Sequence, residues 1–530
     1  MSRLPWLRMR KKTDPELPLT PPVRLGNFSN GEFFHEQTPL ERKIEREILM
    51  QADEKARKLG MDRRDFLASA MGMATSLSVI NLASSCSSNG GSGSGGAGGG
   101  AGSGGSDGGY NVPPDATTNC ELAEDILNGK GEFIFDIQTH HIEREGEWRE
   151  TNPLAGEALA NFFARFNGCA DAADKTICID AQAYLERIFL NSDTTIAVLS
   201  GFPTALCTPD RTTGCGNPID NDAMARSVER FNAIARSQRV INHCQVNPTD
   251  RLDLQLAIME RVKAEHGVAG WKTYPEWGPT GSGWLMTDPN SGIPMIEKAR
   301  ELGVKVICMH KGIVFPGWDY AASDPADVGE VAKRYPDTHF IVYHSAIEMN
   351  PTPAQEGAYN ASNTAGTDRL VRTVEQNNLK GKNVYAELGS VWAQVFLNPE
   401  MAQHVIGKLL KYLGEDNVLW GSESIWLGSP QWQIDAFRRF EISQAFQDTY
   451  GYPALTAELK KKIFGLSAAK VYGIDPEAVR CKVKQTTLAR LKEEMDGELG
   501  TRRWTFQQMG GPRTRREFMN LARVTGGKPG

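Results

Sequence analysis

Four stretches of this chain share one construction. Phe133-Ile134-Phe135-Asp136-Ile137-Gln138-Thr139-His140-His141, Val306-Ile307-Cys308-Met309-His310, Phe340-Ile341-Val342-Tyr343-His344 and Val418-Leu419-Trp420-Gly421-Ser422-Glu423 are apolar runs of β-forming residues. Each breaks off into side chains able to bind a metal or move a proton. A strand buried on both faces reads as a continuous apolar run, and in parallel α/β folds its C-terminal end opens onto the working face. The pattern therefore asks for a parallel sheet whose strands deliver chemistry at one end.

Between and around these runs, strand-like and helix-like segments alternate. The further strands are expected at Thr195–Leu199, Val240–Cys244, Val268–Tyr274 and Val384–Leu388. Helical spacing is expected at Leu154–Phe166, Asn221–Ser237, Leu252–His266, Glu297–Leu302, Ala326–Tyr335, Asp368–Asn378 and Met401–Leu413, with further helices over Pro430–Tyr472. Eight strands joined by crossovers give a closed (β/α)8 TIM barrel with C-terminal helices. An open doubly wound sheet is the alternative, and the glycine-rich phosphate turn it would carry after the first strand is missing. The 530 residues fit one such barrel with additions. A net charge of -6 leaves no basic footprint, so nucleic acid is not expected as a partner.

The first part of the chain reads as an address. Residues 1–60 form a polar leader of mixed charge, with a charged helical piece from Glu41 to Lys58 and no expected core. Met61-Asp62-Arg63-Arg64-Asp65-Phe66-Leu67 follows, and no charge then appears until Asp107. The paired Arg63 and Arg64, followed by a modest apolar stretch, resemble a twin-arginine export signal over residues 61–86, which implies the twin-arginine export machinery as a partner. Leu82-Ala83-Ser84-Ser85-Cys86 partly resembles a lipoprotein processing site, leaving lipid anchoring at Cys86 and simple cleavage both open. Residues 87–110, almost all Gly and Ser at first, read as a flexible tether ahead of a barrel domain at 111–480 and a charged tail at 481–530. The implied location is the periplasm or the outer face of the cell envelope.

An oxidising destination suits the cysteines. Cys169 with Cys178 and Cys207 with Cys215 flank short polar insertions and are the two expected bridges, while Cys244 and Cys308 lie in strand-like runs as small core residues. Cys120 and Cys481 have no evident partner, and no Cys-x-x-Cys points to a structural zinc.

The strand-end motifs resemble those of the family-2 branch of the metal-dependent amidohydrolase superfamily. That family usually shows Asp-x-His-x-His after strand one, where this chain has Asp136-Ile137-Gln138-Thr139-His140. Its strand-five and strand-six histidines match His310 and His344, its strand-eight Gly-Ser-Asp matches Gly421-Ser422-Glu423, and Phe464 to Gly473 is similar to its closing helix. The resemblance implies one divalent metal ion held by His140, His310, Glu423 and Gln138, with His344 and Glu423 in catalysis. A neutral amide and a longer carboxylate arm make the set more oxygen-rich, so manganese or iron stand beside zinc. Lys272, at the end of strand four, is a catalytic candidate as a fixed cation for a carboxylate or enolate. His141, Trp271, Tyr274, Trp318, Glu387 and Trp426 lie at or just beyond strand ends and are the expected substrate contacts, which favours a flat, apolar or aromatic small molecule.

Three readings follow: a metal-dependent hydrolase of an ester, lactone or amide, a metal-dependent decarboxylase of an aromatic or unsaturated acid, and a metal-poor barrel that binds a ligand without turnover. Assembly into a homo-oligomer stays open.

Overall fold

All eight expected strands form, and they lie in chain order in a single parallel sheet of a computed structural model. They are β1 (Phe135–Thr139), β2 (Ile196–Ser200), β3 (Val240–Gln245), β4 (Gly270–Thr273), β5 (Val306–His310), β6 (His339–Tyr343), β7 (Val384–Glu387) and β8 (Val418–Leu419). The structure describes residues 19–25, 28–29, 34–85, 108–129, 132–155, 174–315, 317–348, 356–483 and 488–493. The first and last strands meet: Ile137 N donates to Trp420 O at 3.1 Å, Glu423 N to Gln138 O at 3.1 Å and His140 N to Ser424 O at 2.7 Å. With that seam the sheet is a closed TIM barrel, and it has no edge left to cover.

Inside the barrel, Phe135, Ile137, Val198, Ile241, Cys308, Ile341 and Tyr343 form one apolar cluster. Outward-facing neighbours such as Trp271, Met309, Val342 and Trp420 belong to the layer beneath the helices. The alternation of inside and outside is the ordinary two-residue period of a strand. It is interrupted once at β1, where the register with β2 shifts between Asp136 and Thr139. The shift sends Thr139 outward to Tyr184 Oη at 2.7 Å and Val198 O at 2.6 Å. Gln138 and His140 are thereby left at the mouth.

The leader departs from expectation. Helix α1 (Pro39–Leu59) begins with a reciprocal cap, Glu41 N donating to Thr38 Oγ1 at 3.2 Å and Thr38 N to Glu41 Oε2 at 2.6 Å, and ends at Gly60 with φ 64°. Ile44, Ile48, Ala52 and Ala56 recur every four residues and are buried, so this piece does contribute to a core despite its polar composition. The short α2 (Arg63–Leu67) leads into α3 (Ala70–Ser85), whose Met73, Ala74, Leu77 and Ile80 are fully buried. Helix α4 (Cys120–Leu127) and the pair Gly109–Tyr110 with Phe440–Glu441 pack beside them, in the same apolar cluster as the outer layer of the barrel. Among the described residues no helix is long and apolar enough to cross a membrane.

The crossover helices are α5 (Asn221–Ala235), α6 (Leu252–Glu265), α7 (Gly292–Glu301), α8 (Ala326–Arg334), α9 (Thr367–Gln376) and α10 (Pro399–Leu413). The expected helix at Leu154–Phe166 lies mostly outside the described residues, as do Cys86, Cys169 and most of the charged tail at 481–530. After the barrel come α11 (Gln431–Arg439) and α12 (Ser467–Tyr472), the latter closing the barrel floor. Of the expected bridges, Cys207–Cys215 is formed, with Cα atoms 5.0 Å apart. In the tail, Leu488 is buried and Lys492 Nζ lies 3.3 Å from Asp193 Oδ1, so that piece lies against the domain.

Candidate active site

At the mouth, two imidazoles are fixed through Nδ1. His140 Nδ1 donates to Ser200 O and His344 Nδ1 to Gly389 O, both at 2.8 Å. A carbonyl can only accept, so each ring carries a proton on Nδ1 and turns Nε2 toward the mouth. That second-shell pattern sets the tautomer of histidines that ligate metals. His140 Nε2 lies 3.3 Å from Glu423 Oε1, and Gln138 Nε2 donates to His344 Nε2 over a long 3.5 Å. His310 Nδ1 pairs with Glu276 Oε1 at 3.2 Å, and its ring stands edge-on to His344 with centroids 4.7 Å apart.

Charge is distributed unevenly over this buried cup. Burial pushes His344 down to about 3 and His310 well below its ordinary value, so both rings are neutral at pH 7. Burial also lifts Glu276 to about 8 and Glu387 well above the usual carboxylate range. Glu387 accepts from His344 N at 3.0 Å and Gly389 N at 2.5 Å. Glu423 is the exception: burial would raise it, but a hydrogen bond with His140 and the nearby Lys272 ammonium help hold it below its ordinary value, and it stays ionised.

Lys272 faces the interior from β4 and is fully buried. Its Nζ sits 3.8 Å from the centroid of Tyr343 and 4.3 Å from that of Tyr274, and it has no hydrogen-bond partner among the described residues. Burial lowers it to about 8. Beneath it, His243 bridges two phenols, Tyr343 Oη at 3.0 Å and Tyr472 Oη of α12 at 2.7 Å, while Tyr343 Oη donates to Ile137 O at 2.5 Å. His243 is thus a structural residue of the barrel floor.

Backbone conformation at the mouth is costly. His344, Ser345 and Ala346 have φ of 62°, 49° and 59°, and Glu423 has φ 62°, a region that residues with a Cβ rarely occupy. Two glycines make room for the carboxylates. A Cβ at Gly421 would fall 1.6 Å from Glu387 Oε1, and one at Gly389 would fall 2.2 Å from Gln138 Oε1.

The expected aromatic contacts divide. Tyr274 stacks on His310 at 5.0 Å, Trp318 meets both rings edge-on, and Trp426 stacks on His140 at 5.5 Å. Trp271 does not belong with them: it faces the helical layer, and its Nε1 donates to Val304 O at 3.1 Å. His141 is likewise turned away, edge-on to Tyr184 and Phe231, with Nδ1 at 3.0 Å from Ile142 O. Adjacent residues of an extended chain point to opposite sides, so Lys272 and His140 at the mouth place their neighbours Trp271 and His141 behind it. Sequence reasoning missed Glu276, two residues past Tyr274, and Phe202, which stacks on His140 at 5.3 Å opposite Trp426.

By type, these donors suit a divalent cation. Gln138 Oε1, His140 Nε2 and Glu423 Oε2 are buried polar atoms without hydrogen-bond partners among the described residues, on three neighbouring side chains. They are not gathered as tightly as a filled shell. Among the described residues, the group of three whose ligand atoms all fall within 4.8 Å is Asp222, Glu265 and His266 at the surface. There Arg261 Nη1 already bonds Asp222 at 2.9 Å and Glu265 at 2.8 Å, which makes it an ion-pair cluster.

A family model described as amidohydrolase matches residues 223–474, from α5 to the closing helix. The match begins after β1 and β2, so Gln138 and His140 fall outside it. No curated protein sequence matches. Among solved structures, an uncharacterized TIM-barrel protein from Bordetella bronchiseptica aligns at 12% identity over 64% of this chain and 98% of that one, with a TM-score of 0.42. The 5-carboxyvanillate decarboxylase of Sphingomonas paucimobilis aligns at 13% over 65% and 100%, TM-score 0.38. A 2,6-dihydroxybenzoate decarboxylase from Rhizobium aligns at 12% over 64% and 99%, TM-score 0.37.

Proposed function

We propose that the barrel is a metal-dependent hydrolase of the amidohydrolase type, acting on an ester, lactone or amide. The observation that carries this is the pair of buried imidazoles with Nδ1 tied to carbonyls and Nε2 turned toward Glu423 and Gln138. His140, His310, Glu423 and Gln138 would hold one divalent ion, zinc, manganese or iron. Such an ion supplies Lewis acidity and a more acidic water. Glu423, the ionised carboxylate of the cup, takes the proton from the attacking water. Lys272 lowers the energy of the negative charge that develops on the substrate oxygen, through the low-dielectric interior, and His344 presents its acceptor Nε2 to the cup, where it takes up and passes on a proton. Phe202, Trp426, Tyr274 and Trp318 orient a flat, apolar acyl or aryl group and exclude bulk water.

A decarboxylase is the second reading. It is favoured by Lys272, a buried cation with no anionic partner within ion-pair distance among the described residues, flanked by aromatic faces that suit an aryl carboxylate. The twin-arginine-like stretch supports a proposal of export to the periplasm or outer envelope face, with Cys86 as the point of lipid attachment if it is anchored.

Elemental analysis of the purified full chain and of His310→Ala tests the metal. One equivalent in the wild type, lost in the variant, is expected, and a folded wild type that takes up no added zinc, manganese or iron would overturn both enzymatic readings. With metal established, release of carbon dioxide from aromatic acids would favour the second reading, and turnover of esters or lactones without it the first.

A further inference from the structure

The apolar stretch that follows Arg63 and Arg64 is built into the folded domain. From Ala70 to Ile80 helix α3 is buried nearly all round, the character of a helix enclosed by protein rather than of a surface helix, and only its last turn, at Leu82, is exposed. One flank is covered by the Ile44, Ile48, Ala52 and Ala56 stripe of α1, and the others by α4, α10, α11 and the Gly109–Tyr110 pair. Its C-terminal turn is fastened as well. The Asn81 side chain accepts from Tyr110 N at 2.8 Å and donates to Tyr110 O, and Tyr110 Oη donates to Phe396 O in the barrel layer. Gly109, with φ 86°, is pinched between helices: a Cβ there would stand 2.6 Å from Asn81 Oδ1 and 3.2 Å from Pro399 Cβ.

These contacts change the meaning of the Gly/Ser segment. Asn81 and Tyr110, on either side of that segment in the sequence, are hydrogen-bonded to each other, so α3 and the barrel are in direct contact rather than held apart. A cut within that segment breaks none of the contacts named above.

We propose that the groove formed by α4, α10, α11 and Tyr110 is the seat of the chain's own signal-like helix, and that α1–α3 stays bound to the barrel as a noncovalent subunit after scission of the Gly/Ser segment. The partner is an intramolecular apolar helix, and the proposal is independent of the chemistry at the barrel mouth. Processing before Cys86 would sever the chain without releasing its N-terminal part.

The test places a site-specific protease sequence within residues 88–104 of the full chain, cuts it under native conditions and follows both fragments by size-exclusion chromatography with intact-mass detection. Both fragments are expected at the elution volume of the uncut protein. Departure of the N-terminal fragment, whether the remainder stays soluble or precipitates, overturns the proposal. The same cut in a Leu77→Asp variant is expected to release the fragment. Co-elution in that variant would show that α3 is not what holds it, and would also overturn the assignment.

Discussion

Glu423 Oε1 stands 3.3 Å from His140 Nε2, across the seam where the first and last strands of the barrel close. The two side chains come from opposite ends of the domain sequence, so barrel closure and assembly of the reactive pair are one event.

Replacing the carboxylate isolates its chemistry from its packing. Glu423→Gln keeps the shape and is expected to retain the melting temperature within a few degrees while lowering kcat/KM by about 10²-fold or more, the usual scale for a general base. Circular dichroism and rates on the best ester or lactone from the screen check this. Unchanged rates would remove Glu423 from the mechanism.

Lys272→Met should stabilise the metal-free protein. The ammonium is held at about 8 in the fold against 10.5 when exposed, so below pH 8 both states are protonated and the folded state carries the whole burial penalty. The penalty is about 3 kcal/mol at pH 7 and fades between pH 8 and 10.5. Wild-type stability measured against the variant should therefore rise with pH across that window. A variant less stable than wild type at pH 7 would show that Lys272 has an anionic partner.

Gly421→Ala tests the room made for Glu387. With the new Cβ 1.6 Å from Glu387 Oε1, either the carboxylate or the seam must move. A loss of about 1–3 kcal/mol is expected, as for overpacked cores, together with weaker metal uptake. Denaturant titration and elemental analysis measure the two effects.

Removing the disulfide should loosen one wall of the mouth. Cys207 and Cys215 are separated by eight positions, a loop for which chain entropy gives about 2.5 kcal/mol. Phe202, stacked on His140, opens the same segment and is tied to it by Asn217 Nδ2 donating to Phe202 O at 2.6 Å. The Cys207→Ser, Cys215→Ser double variant should lose stability on that order and show a raised KM with a smaller change in kcat.

The strands were legible because each is a run of β-formers buried on both faces, and the histidines because a strand's last residue falls on the open end. His141 and Trp271 were assigned to the mouth from their place in the chain alone; the two-residue alternation, applied from His140 and Lys272, excludes both. Glu276 was hidden differently. It follows Pro275 in a loop, where no periodicity assigns a face, and only the fold brings it to His310. In the leader, charged residues on three sides of α1 concealed a four-residue apolar spacing that gains meaning only once α3 is there to receive it.

The hydrogen bonds from His243 to Tyr343 and Tyr472 have a consequence for synthesis. The aromatic floor under Lys272 is braced by a residue of the closing helix, near the end of the domain. A nascent chain on the ribosome thus cannot complete this centre until Tyr472 has emerged, and a premature stop between Leu466 and Tyr472 would yield a barrel with all its mouth residues and an unbraced floor.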